Sequence, residues 1–222
     1  MSEQHQHHHD MTAGHAQHSG WSMAVAATLH CLTGCAIGEI AGLMISTAAG
    51  LGNGWSVAIS IGLSFVFGYS LSTLPLVKVG VAPLAALGVV LAADTLSIAT
   101  MEVTDNLVMV LLPGAMNAGL VNVVFWVGMM ISLTAAFLVA VPVNQWLLSR
   151  GRGHALTHEY HGMAGQSAGW RRWLPTLPTG ALVAVLITFM VGGLTVSIAD
   201  QAGWQQNSSA AAQASAAALA LR

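Results

Sequence analysis

Long runs of apolar residues, interrupted at intervals by Gly, Pro, Asn and isolated charges, organise this chain. A helix rises about 1.5 Å per residue, so roughly 20 mostly apolar residues cross the hydrocarbon core of a bilayer. Five stretches meet that length, near Met23 to Ala49, Trp55 to Leu74, Pro83 to Leu112, Leu120 to Leu148 and Thr179 to Ala199. The pattern predicts an all-α membrane protein, a polytopic bundle of about five transmembrane helices. The first, third and fourth stretches exceed the need, which implies tilt, a break or protrusion from the bilayer. Pro142, with Asn144 beside it, predicts a kink near one end of the fourth. Trp21, Trp55, Trp146, Trp170, Trp173 and Trp204 fall near the ends of the spans, where indole rings favour the interface.

Composition removes the soluble alternatives. The chain is 55% hydrophobic and only 6% charged, against roughly a quarter charged residues in soluble domains. The few cations then set the orientation. Lys78 lies between spans two and three, and Arg150, Arg152, Arg171 and Arg172 lie between spans four and five. Both connections are expected to be cytoplasmic, which puts the N-terminus inside and the C-terminus outside. The expected location is a bacterial inner membrane, with the lipid bilayer as the first partner.

Four segments follow. Residues 1–20 hold six histidines, no cation and few apolar side chains, and are expected to be a disordered, metal-collecting tail made of His5, His7, His8, His9, His15 and His18. Residues 21–161 form a four-helix membrane core. Residues 162–204 carry the basic loop and the fifth span, and the Ala-, Ser- and Gln-rich residues 205–222 are expected to be a second disordered tail.

Chemistry concentrates in two spans. Cys31, Cys35 and Glu39 recur every four residues and so stack along one helix face, with His30 on the adjoining stripe. Soft thiolates suit Cu(I) and Zn(II), and imidazole suits copper and zinc as well. Gly34, Gly38 and Gly42 form a parallel stripe where a neighbouring backbone can approach. In the third span Asp94, Glu102 and Asp105 share a face. Three anions there repel one another, and the spans hold no Lys or Arg to settle them, so a metal ion, shared protons or His30 must serve. Met101, Met109 and Met116 can offer thioethers to a soft ion, although methionine is also an ordinary filler of apolar cores. His154, His158 and His161 follow the fourth span at spacings compatible with an accessory metal site or with a simple interfacial loop.

The strings HCLTGCAIGE (30–39), AADTLSIATMEVTDN (92–106) and PVNQWLLSRGRGH (142–154) resemble a family of small bacterial integral membrane proteins catalogued only as a domain of unknown function. The resemblance implies a four-helix membrane core, with the fifth span and both tails as additions. It implies no particular reaction.

The functional expectation is therefore transport or intramembrane handling of a transition-metal ion, copper(I) first and zinc next. No enzymatic motif, organic cofactor or nucleic-acid partner is indicated. A proton-coupled carrier of a small solute is the main alternative, followed by a membrane thiol oxidoreductase and a non-catalytic scaffold. Four or five helices make a small body around a hydrated path, so a homo-oligomer is expected. The orientation has a direct check. In intact cells Gly114→Cys should react with an impermeant thiol reagent and Gly153→Cys should be shielded; the reverse pattern would invert the topology.

Overall fold

The computed structural model describes residues 4–78, 80–150 and 178–220. Its elements are α1 (Gln4–Ala48), α2 (Asn53–Lys78), α3 (Pro83–Leu111), a 3-10 turn (Ala115–Asn117), α4 (Val123–Ser149) and α5 (Thr179–Ala220). Each of the five helices is long and apolar enough to cross a membrane, so the chain is an all-helical, multi-pass membrane protein.

Local chemistry sets the connections. Gly50 ends α1 at φ 66°, with its N–H donating to the Thr47 carbonyl and the Leu51 N–H to Ser46. That pair of bonds is the Schellman closure, which needs a residue tolerant of positive φ. Gly80, at φ 112°, closes α2 in the same way through Val77 and Leu76. Pro83 opens α3, where its missing N–H costs nothing. Asn122 caps α4 by accepting from the Val124 N–H at 2.9 Å.

The helices extend beyond expectation at two places. α1 begins at Gln4, so helical backbone runs through the segment expected to be disordered, and α5 likewise continues to Ala220. Extending a helix is far easier than nucleating one, and neither segment contains proline. α4 continues through Pro142, the residue expected to kink it, which lies inside the helix.

α1 sits centrally and packs against the other four helices, most extensively α2. Gly34, Gly38 and Gly42 face Gly68, Ser64 and Ser60, so closely that a Cβ on Gly38 would fall on the Ser64 backbone. The Ser64 hydroxyl donates to the Cys35 carbonyl at 3.1 Å, and Ser60 to Glu39 at 3.2 Å. On its other side α1 contributes Cys31, Leu32, Cys35, Ala36 and Ile40 to a core shared with Ile98, Met101, Phe125, Trp126 and Met129. Large apolar side chains also point outward, among them Leu84, Val103 and Leu111. Such a surface is stable only in an apolar solvent. Trp21, Trp55, Trp146 and Trp204 are exposed near the ends of the apolar spans, as an interfacial belt requires.

Replacing Gly38 with Ala should therefore destabilise the protein by about 1–3 kcal/mol, the scale of overpacking. Gly62→Ala, where an added Cβ meets open space, should be close to neutral. Equal thermal midpoints for the two variants in detergent would refute the close approach.

Candidate functional site: a thiol and carboxylate seam

The period-four row on α1 meets the carboxylate face of α3 in register. Cys31 lies against Asp94, with Ser72 of α2 and Ser97 of α3 beside it. One turn on, Cys35 meets Glu102, which Ser64 of α2 also borders. A further turn brings Glu39 to Asp105, with Ser132 of α4 at its flank. α1 and α3 cross the bundle in the same sense. Although the α1 row advances by four and four residues and the α3 row by eight and three, each row keeps to one helix face, so the two run alongside each other. The three pairs form one polar seam.

Water is excluded from most of it. Cys31 and Asp94 are 0% exposed, Glu102 is 3% and Asp105 is 6%, while Glu39 is half-buried. Both oxygens of Glu102, Oε1 of Glu39 and Oδ1 of Asp105 lack a partner in hydrogen-bonding geometry among the described residues. Buried carboxylate oxygens without donors are costly, and a proton or a cation at the seam is the direct way to satisfy them. The nearby serines do not meet that need: Ser60 and Ser64 donate to α1 carbonyls, and Ser132 donates to the Met129 carbonyl.

The seam ends in a cavity of about 100 Å³ beside the 3-10 turn. Glu39 and Asp105 line it together with Asn106, Met109, Met116 and Met129. At its rim the Asn53 amide donates to the Asn117 side-chain oxygen at 2.7 Å, tying α2 to the turn. Near the opposite end of the bundle, Asn144 of α4 donates to Thr28 of α1 at 2.7 Å in a buried pair.

The remaining expected residues divide. His30 lies on the adjoining stripe, half-buried, with Nδ1 3.2 Å from the Ala26 carbonyl of its own helix. Met101 is apart from the cavity, packed in the core at 1% exposure, and acts as filler. His5, His7, His8, His9, His15 and His18 lie on the helical extension of α1. His154, His158 and His161 lie outside the described residues. Among the described residues, no three His, Cys, Asp or Glu side chains converge on a preformed metal cage.

Several site residues were missed by sequence reasoning. Ser60, Ser64 and Ser72 share one face of α2 with Gly68 between them, at the same period-four spacing as the α1 row, and that period was the available signal. Ser97, Ser132 and Met129 carry no comparable pattern.

A family model described as Domain of unknown function (DUF4396) matches residues 20–153, which takes in α1 from Gly20 through α4 and stops before α5. No curated protein and no solved structure matches the chain.

The two cysteines are free and buried. Both thiols should resist a water-soluble alkylating reagent in the folded protein and react after denaturation. Mass spectrometry showing rapid labelling of native protein would contradict their enclosure.

Proposed function

The chain belongs to the DUF4396 family, and from the seam in its core we propose that it binds a transition-metal cation within the membrane and passes it between the two sides, copper(I) first and zinc next. The observation that carries this reading is the matching of Cys31, Cys35 and Glu39 by Asp94, Glu102 and Asp105 along a buried line that reaches a cavity at one end. Thiolate suits Cu(I) and Zn(II), and carboxylate suits harder ions. A cation stepping from pair to pair meets an anionic or anion-forming partner at every turn. The histidine-rich residues of α1 and the group His154, His158 and His161 would collect the ion on the cytoplasmic side. The setting is a bacterial inner membrane, and a homo-oligomer would enclose the path more fully than one copy.

Metal binding displaces protons from thiols, so affinity should strengthen as pH rises toward neutrality. In reconstituted vesicles, Cys31→Ser with Cys35→Ser should remove high-affinity Cu(I) or Zn(II) binding and impair uptake. Asp94→Asn with Glu102→Gln keeps shape but removes charge, and should abolish uptake without altering oligomer size. Unchanged uptake in both double variants would overturn the metal reading. A proton-coupled carrier for a small solute would then be the better account, supported by the hydroxyls of Ser64, Ser72, Ser97 and Ser132 beside the carboxylates.

A further inference from the structure

We infer that the cavity at the end of the seam is a separate thioether and carboxylate site for copper(I), and that it selects this ion against zinc. The inference deepens the metal reading above and rests on it. Met109 comes from α3, Met116 from the 3-10 turn and Met129 from α4, yet all three line one cavity of about 100 Å³. Methionine used as filler sits among apolar neighbours, as Met101 does. Met129 belongs to that same core and Met109 packs against it, but both, with Met116, also line the cavity beside Glu39, Asp105, Asn53 and Asn106.

Two further features point to a ligand. Asp105 lines the cavity at 6% exposure, and its Oδ1 has no hydrogen-bond partner among the described residues. Glu39 Oε1 is in the same condition. Gly128 of α4 admits the Met109 sulfur to close contact, since a Cβ built there would stand only 3.2 Å from Sδ. The cavity exceeds the roughly 30 Å³ share of one water, so it has room for an ion. Thioether sulfur is a soft donor that favours Cu(I), while Zn(II) prefers thiolate, imidazole and carboxylate. A single carboxylate balances the one charge of a cuprous ion.

The test uses the full-length protein in detergent, so that the histidine-rich segment contributes equally to every variant. Ag(I) serves as a redox-inert probe, with Cu(I) titrated anaerobically against a chromophoric chelator. Met109→Leu, Met116→Leu and Met129→Leu are combined in the parent and in the Cys31→Ser, Cys35→Ser background. Leucine conserves volume and removes only the sulfur. In the serine background Ag(I) binding should persist, then weaken by roughly tenfold or more when the three leucines are added, the scale on which supporting partners of metal sites act. Zn(II) binding should not change. Met116→Leu alone, on the turn and away from the core, should give part of the loss. Ag(I) affinity unchanged by the three leucines in both backgrounds would overturn the site. So would an equal loss of Ag(I) and Zn(II), which marks a collapsed cavity. Normal uptake by the serine variant together with sulfur-dependent Ag(I) binding would refute the thiol seam as the path and leave this site standing.

Discussion

The close approach of α1 and α2 is the contact on which the rest of the bundle depends. In lipid the hydrophobic effect gives helices little reason to associate, so packing and hydrogen bonding between small residues take over. Gly34, Gly38 and Gly42 lie one position before Cys35, Glu39 and Leu43, about 100° around the helix. Seating the glycines on Ser60, Ser64 and Gly68 therefore fixes the rotation of α1 about its axis. That rotation aims Cys35 and Glu39 at α3. Ser64 and Ser60 reinforce the setting by bonding the carbonyls of those same two residues.

The seam is the opposite case, a set of groups whose burial works against the fold. The outward faces of the helices suit lipid, and the core shared by α1, α3 and α4 is apolar, yet Asp94, Glu102 and Asp105 are enclosed within it. Ions that bind only the folded protein stabilise it by mass action. Under the proposed metal reading, occupancy and folding are coupled, and the bundle without an ion is the less stable form. Close packing between α1 and α2, at some distance around α1 from the carboxylates, offsets this cost.

Much of the architecture was legible in the sequence because apolar length and helical period are local properties. The five spans and the separate rows on α1 and α3 follow from them directly, while the pairing of the two rows is a tertiary contact. The period-four row Ser60, Ser64, Gly68 and Ser72 was equally periodic, but serine and glycine barely disturb hydropathy, so α2 reads as a plain span. The methionines were ambiguous for a different reason. Met101, Met109 and Met116 have the same chemistry, and only packing separates the buried filler from the two at the cavity, while Met129 arrives from a helix distant in sequence. The helical extension to Gln4 runs against composition, since propagation from a membrane helix outweighs weak local preference, whereas the Ala-rich residues leading to Ala220 are themselves good helix formers.

The Leu120 carbonyl accepts two hydrogen bonds, from Trp126 Nε1 at 2.7 Å and from the Ser197 hydroxyl at 3.2 Å. The first donor belongs to α4 and the second to α5, while Gly193 of α5 lies flat against the Trp126 ring. The family match ends at residue 153, yet this acceptor and this ring are shared across that limit. The fifth helix is thus spliced into the turn that leads to α4, not appended to a finished unit. A grafted or minimised version cut at the family limit would inherit a half-satisfied carbonyl and a bare indole, and would need a new donor and a new small-residue surface designed in their place.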